Sequence, residues 1–217
     1  MGGRGAGSGG GGGGGGGTGG ISGADIVSTT SLISERERQK TEVDSVLHVL
    51  YDIEKEYGVT VSDVQIATLR GRSANSVLAY YDASGNLAVN TNFFDSKKMN
   101  AAMDNAEKSG WHPPRGGKSG LEAVAAHEIG HTLTDVAAQK AGMGAWQLDQ
   151  VSSKIVRQAA KSQGVKVGEL RAKVSGYGKT SNAEAVAEAF ADVYCNGKKA
   201  SAASRAIVGE LNKYLKP

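Results

Sequence analysis

An unbroken run of nine glycines at residues 9–17 limits where a folded domain can begin in this chain. Of the 32 glycines in the sequence, 15 fall within the first 20 residues. Glycine loses more backbone entropy on folding than any other residue, so such a run does not settle into one structure. The sequence therefore predicts a disordered glycine-rich tail over residues 1–33, followed by one domain over residues 34–217.

Composition excludes several classes of protein. Hydrophobic residues make up 39% and charged residues 22% of the chain, which is typical of a soluble domain. No apolar run approaches the about 18 residues of a membrane span, and the start lacks the apolar core of a secretory signal. The single cysteine, Cys195, excludes an internal disulfide and a cysteine-based zinc knuckle. A net charge of +3 is too small to indicate a nucleic-acid partner, and in the absence of an apolar span we expect no membrane partner.

The pattern of apolar residues predicts an α+β domain, with a small, mostly antiparallel sheet before a helical half. A helix with apolar residues between 43 and 53 is expected to end before Gly58. Strands are expected at residues 59–69, 76–81 and 87–94, with a hairpin turn at 82–86. Helices are expected at residues 97–108, 119–138, 146–163, 165–175, 181–195 and 201–215. A capping box of Ser119 and Glu122 is expected to begin the second of these helices.

That second helix contains the HExxH motif at residues 127–131. Residues four apart share one face of a helix, so His127 and His131 can bind the same metal ion. Glu128 projects beside that face, where its carboxylate can take a proton from a zinc-activated water and later pass one to the leaving amine. Gly130 permits another element to pack closely between the two histidines.

A catalytic zinc site usually needs a third protein ligand. The metzincin extension requires glycine at 134 and histidine at 137, where this chain has Thr134 and Ala137. The two other histidines, His48 and His112, both precede the motif. An acidic third ligand is therefore favoured.

Three acids, Glu184, Glu188 and Asp192, form one stripe on a predicted helix that is otherwise apolar. Such a helix should be buried, and a buried carboxylate needs a metal or a hydrogen-bond partner. Spacing leaves two assignments open: Glu188 as the ligand with Asp192 four residues later, or Glu184 as the ligand with Glu188 orienting a histidine. Glu184 has an alternative role as the capping-box acid for Ser181, and Asp192 could reach solvent at the helix end.

Residues 175–190, taken with the HExxH motif, resemble the active-site segments of the anthrax lethal factor-like zinc metallopeptidases. The Pro-Pro endopeptidases of clostridia belong to the same group. This family places a tyrosine seven residues before a zinc-binding glutamate and a further glutamate four residues after it. Tyr177, Glu184 and Glu188 match that spacing without a gap. The proline-proline specificity of those clostridial enzymes is not carried over.

The resemblance implies a zincin-like metallopeptidase fold with one zinc ion per chain. It implies that Glu184 completes the ligand set with the two motif histidines and that Glu188 orients a zinc ligand. Tyr177 would donate a hydrogen bond to the oxyanion, from a loop that its flanking glycines allow to bend. The implied activity is that of a zinc metalloendopeptidase acting on a peptide or protein. We expect its substrate to lie along an edge strand, and residues 87–94 are the strand that we predict for this role.

A second resemblance involves the glycine-rich start, residues 110–113 and residues 188–197. These segments are similar to metallopeptidase-like domains of phage minor head proteins and related toxins. The similarity implies a phage or prophage origin, with phage structural proteins as partners. It leaves two alternative functions: a particle structural or assembly protein that retains a peptidase fold, or a delivered toxin effector. Localisation stays open between a virion and the cytoplasm.

Overall fold

The structure is a computed structural model that describes residues 25–61, 64–81, 85–143 and 148–216. It divides into two compact units. Unit 1 holds the described residues up to Ala106 together with Ser119–Glu128, and unit 2 holds Glu107–Lys118 and the residues from Ile129 onward. Residues 1–24 of the predicted tail lie outside the described residues. Residues 26–31, also predicted as tail, instead form strand β1 (Ile26–Ser31), so the folded chain begins before residue 34.

Unit 1 contains the predicted amphipathic helix, which is α1 (Lys40–Tyr57). Its buried face consists of Val43, Val46, Val49 and Ile53. The helix ends where the sequence predicts because Gly58 adopts a φ of 65°, and its N–H donates to the Glu54 carbonyl at 2.8 Å.

Unit 1 also contains the single turn α2 (Ser73–Ser76) and most of helix α3 (Ser96–Lys108). Glu42 of α1 accepts hydrogen bonds from the hydroxyl and the N–H of Ser96, at 2.7 and 3.1 Å. The hydroxyl bond is the largest cause that lowers the pKa of Glu42. The start of α3 is thus tied to the first turn of α1.

Four short strands form one mixed sheet in the order β1-β2-β4-β3. The other strands are β2 (Val64–Leu69), β3 (Ala79–Tyr81) and β4 (Leu87–Asn90). β1 pairs with β2 and β3 with β4 in antiparallel fashion, whereas β2 and β4 are parallel. Two of the three strand pairings are antiparallel, in agreement with the predicted mostly antiparallel sheet. The parallel pairing of β2 with β4, which do not follow one another along the chain, was not predicted.

The prediction that residues 87–94 form an edge strand is wrong. β4 lies between β2 and β3, and all four of its residues are buried, as expected for an interior strand. The strand is also shorter than predicted. The Asn90 side-chain oxygen accepts the N–H of Asn92 at 3.0 Å, and the chain turns there into a 3-10 turn at Thr91–Phe93. Among the described strands, β1 and β3 form the edges of the sheet.

Helix α4 (Gly120–Lys140) belongs partly to each unit. The capping box predicted for its start is confirmed: the Ser119 N–H donates to the Glu122 carboxylate at 2.8 Å, and the Glu122 N–H donates to Ser119 Oγ at 3.2 Å. Ser119 and Glu122 therefore satisfy two of the amides at the helix start that have no partner within the helix.

Unit 2 continues with helices α5 (Leu148–Ser162), α6 (Val167–Val174), α7 (Asn182–Asn196) and α8 (Ala202–Leu215). These agree with the predicted helices to within a few residues. α5, α7 and α8 pack against one another, and every residue of α7 from Ala185 to Asp192 is buried. No helix in the described part of the chain combines the length and apolar character that crossing a membrane requires.

Asn90 provides a test of the sheet. This residue is 1% exposed, and its side-chain amide donates to the carbonyls of Val77 and Ala74 at 2.7 and 3.0 Å. Because Asn90→Asp replaces that donor with a buried carboxylate, we expect a loss of roughly 2–4 kcal/mol of unfolding free energy in denaturant titration. The exposed Asn105→Asp should change stability by less than about 0.5 kcal/mol. Equal effects of the two substitutions would contradict this account of Asn90.

Candidate metal centre

Three side chains come together in a group that could hold a metal ion, here named the metal group: His127, His131 and Glu184. Each offers one ligand atom, and these atoms all lie within 4.8 Å of one another. Helix α4 supplies the two histidines and α7 supplies the glutamate. His127 is buried, and the other two side chains are partly exposed.

A close approach of α4 to α7 brings these residues together. A Cβ atom added to Gly130 would lie 2.7 Å from the Cα atom of Ala187 and 3.2 Å from its carbonyl oxygen. Only glycine fits there without moving a backbone. The expectation that Gly130 permits close packing between the histidines is therefore confirmed, and the element that packs there is α7.

Glu184 lies in the first turn of α7. One of its carboxylate oxygens is 3.4 Å from Nε2 of His131, while its backbone N–H donates to the Ser181 hydroxyl at 3.0 Å. The residue thus takes part in the helix cap through its backbone and contacts a motif histidine through its side chain. The positive end of the helix dipole also favours a carboxylate at this position.

Glu188 lies one turn further along α7 and has different partners. It is 1% exposed, and its two oxygens lie 2.8 Å from Nδ1 of His112 and 2.7 Å from Oγ of Ser175. The group that could hold a metal contains Glu184 and not Glu188. Of the two assignments that spacing left open, the geometry favours the one with Glu184 as the third ligand.

Asp192 completes the acidic stripe without reaching solvent. Its two oxygens accept hydrogen bonds from the Asn196 side chain at 2.8 Å and from the Ser201 N–H at 3.0 Å. The Asn196 amide also donates to the Pro114 carbonyl. Asp192 therefore fixes the end of α7 and the start of α8, a role that the sequence left undetermined.

Tyr177 is 9% exposed and lies in the turn between α6 and α7. The N–H groups of Gly176 and Tyr177 donate to the carbonyls of Gly110 and Trp111 at 2.8 and 2.9 Å. A Cβ atom at Gly176 would lie 3.0 Å from the Trp111 ring. Gly176 was expected to let the loop bend, but here it allows the turn to pack closely against Gly110 and Trp111.

The residue that sequence reasoning missed is His112. It entered that reasoning as a remaining histidine upstream of the motif, yet it is 4% exposed and paired with Glu188. The available signal was its place in a Trp-His-Pro-Pro segment, because two prolines fix a loop that then lies in a defined position. The second resemblance involves both residues 110–113 and residues 188–197, but it gave no indication that His112 contacts Glu188, 76 residues further along the chain.

Glu128 follows His127 in α4 and is 1% exposed. The position after the first histidine of the motif is the one that the HExxH pattern assigns to a proton-transferring acid.

Comparison with protein-family models, with curated proteins and with solved structures finds no match to this chain. The resemblance to lethal factor-like peptidases rests on the motif residues alone.

Gly130 offers a test of how the metal group is assembled. We expect Gly130→Ala to push α7 away from α4, to lower the unfolding free energy by about 1–3 kcal/mol and to weaken metal binding. The matched control is Gly209→Ala, since Gly209 lies in α8 with no atom within 4 Å of an added Cβ atom. That substitution should be neutral or stabilising by up to about 1 kcal/mol. Denaturant unfolding and metal titration measure both effects, and unchanged metal affinity in Gly130→Ala would refute the proposed dependence.

Proposed function

We propose that this protein is a zinc-dependent metalloendopeptidase with a zincin-like fold, acting on a peptide or protein substrate. The observation that carries the proposal is the group of His127, His131 and Glu184, whose ligand atoms lie within 4.8 Å of one another. Two imidazoles and one carboxylate form a ligand set typical of catalytic zinc sites, in which a fourth position stays open. The donor set therefore fits zinc better than calcium or magnesium, which prefer oxygen ligands.

Each remaining role in peptide hydrolysis has a residue in the chain. When bound, zinc would supply Lewis acidity and lower the pKa of a coordinated water. The Glu128 carboxylate would accept the proton of the attacking water and pass it to the leaving amine. The Tyr177 hydroxyl would donate a hydrogen bond to the substrate carbonyl oxygen as that oxygen gains negative charge.

Zinc content tests the ligand set. We expect about one zinc per chain in the purified protein, measured by elemental analysis after dialysis. Glu184→Gln removes a ligand charge and should weaken zinc binding by roughly 100-fold or more. The exposed Glu169→Gln, on α6, is the control and should bind zinc as the wild type does. Loss of zinc in Glu188→Gln but not in Glu184→Gln would show that the third ligand is Glu188 and not Glu184.

Activity tests the role of Glu128. We expect a mixed peptide library to be cleaved by the wild type, with Glu128→Gln retaining zinc and cleaving about 10²- to 10⁴-fold more slowly. The glutamine keeps the size of the side chain but cannot accept the proton. Mass spectrometry of the products gives both the rate and the cleavage site. Wild-type cleavage rates in Glu128→Gln would rule out this mechanism.

The same variant separates the peptidase from the phage structural protein that the second resemblance suggests. A peptidase, whether it acts in a phage particle or as a delivered toxin, needs Glu128 for its biological effect. A structural or assembly protein retains its effect in Glu128→Gln, because that substitution leaves the fold and the metal ligands in place.

A further inference from the structure

A buried histidine–glutamate pair lies beside Tyr177 and is not used by the roles assigned above. His112 and Glu188 are 4% and 1% exposed, and Nδ1 of the histidine is 2.8 Å from Oε1 of the glutamate. With Glu188 ionised, the Nδ1–H of His112 donates this hydrogen bond. A hydrogen bond between two buried side chains restricts the orientation of both, so it holds the ring of His112 in place.

The same glutamate also holds the turn that carries Tyr177. Ser175 donates its hydroxyl proton to Oε2 of Glu188 at 2.7 Å, and its Oγ accepts the N–H of Gly178 at 2.8 Å. Ser175 and Gly178 stand on either side of Tyr177 in the chain. Glu188 is therefore bonded to both segments that surround the tyrosine, namely the turn itself and the loop of His112.

The rings complete the arrangement. The His112 ring meets the Tyr177 ring edge-on, with centroids 5.5 Å apart and planes at 70°. The Trp111 ring lies at the same distance from Tyr177, tilted by 38°. Edge-on and tilted packing at this distance is favourable for aromatic rings and restricts their motion. Tyr177 is thus held by neighbouring rings as well as by its backbone.

We propose that His112 is a positioning residue, which together with Glu188 holds the Tyr177 ring in place for the peptide hydrolysis proposed above, on which this inference rests. Glu184 and Glu188 are one turn apart on α7, so a single helix carries the candidate metal ligand and the anchor of the candidate oxyanion donor. This assigns Glu188 to Tyr177 rather than to a histidine of the metal group.

Chemical modification tests the positioning without any need for activity. Tyr177 is 9% exposed and Tyr51 is 63% exposed, so tetranitromethane should nitrate Tyr51 much faster in the wild type. His112→Phe keeps a ring but removes the hydrogen bond to Glu188. We expect nitration of Tyr177 to become about tenfold faster in this variant, while Tyr51 serves as an internal reference that does not change. Peptide mapping by mass spectrometry gives the two rates.

Two further variants sharpen this result. His112→Asn places an amide N–H near the position of Nδ1 and should restore most of the protection of Tyr177. His48→Phe removes an exposed histidine of α1 and should leave the protection at its wild-type level. Unchanged nitration of Tyr177 in His112→Phe would overturn the proposal.

Kinetics test the consequence for catalysis. We expect His112→Phe to lower kcat by roughly 10- to 100-fold, with zinc content and KM little changed, because a misplaced donor affects the transition state most. Combining His112→Phe with Tyr177→Phe should lower kcat no further than Tyr177→Phe does alone. Losses that multiply in the double variant would show that His112 does not act through Tyr177.

The experiments distinguish the two proposals. If the wild type binds no zinc or cleaves no peptide, the proposed function fails, and the nitration rates still decide whether His112 positions Tyr177. If the wild type is active and neither nitration nor kcat responds to His112→Phe, the positioning role alone fails. Should circular dichroism show that His112→Phe does not fold, Ser175→Ala replaces it as the disrupting variant, and His112→Asn remains the variant expected to keep the protection of Tyr177. Ser175→Ala should also speed the nitration of Tyr177, and full protection in this variant would contradict the proposal.

Discussion

At Gly130, helix α4 comes so close to α7 that an added Cβ atom would lie 2.7 Å from the Cα atom of Ala187. The two helices therefore meet backbone to backbone between His127 and His131. Protein interiors are packed too densely to absorb even one extra methyl group at such a point without movement. Because the third member of the metal group lies on α7, the absence of a side chain at Gly130 allows that helix to come this close to the two histidines.

The three acids of α7 show how one buried helix can carry several carboxylates. Glu188 and Asp192 are buried and Glu184 is partly exposed, and each of the three has its own partners. Glu184 faces a motif histidine, Glu188 binds a histidine and a serine, and Asp192 binds the start of α8. Spacing of four residues places all three on one side of the helix. A stripe of this kind predicts that partners exist, but it does not identify them.

The sequence predicted the features that depend on neighbours along the chain. The helices, the capping box of Ser119 and Glu122 and the close packing at Gly130 follow from periodicity and local chemistry. The parallel pairing of β2 with β4 and the partnership of His112 with Glu188 depend on contacts between distant segments. Local patterns hold no information about such contacts, which is why an interior strand was predicted at a sheet edge.

The choice between Glu184 and Glu188 illustrates the same limit at the metal group. Four residues of α-helix separate the two carboxylates by only about 6 Å along the axis, and both project from the same side. Either carboxylate could join the two HExxH histidines, depending on the position of α7 along its own axis relative to α4. The contact at Ala187 fixes it, and Glu184 is then level with His131 while Glu188 reaches His112. Which glutamate joins the two histidines, a choice that spacing left open, thus depends on one glycine of the opposite helix.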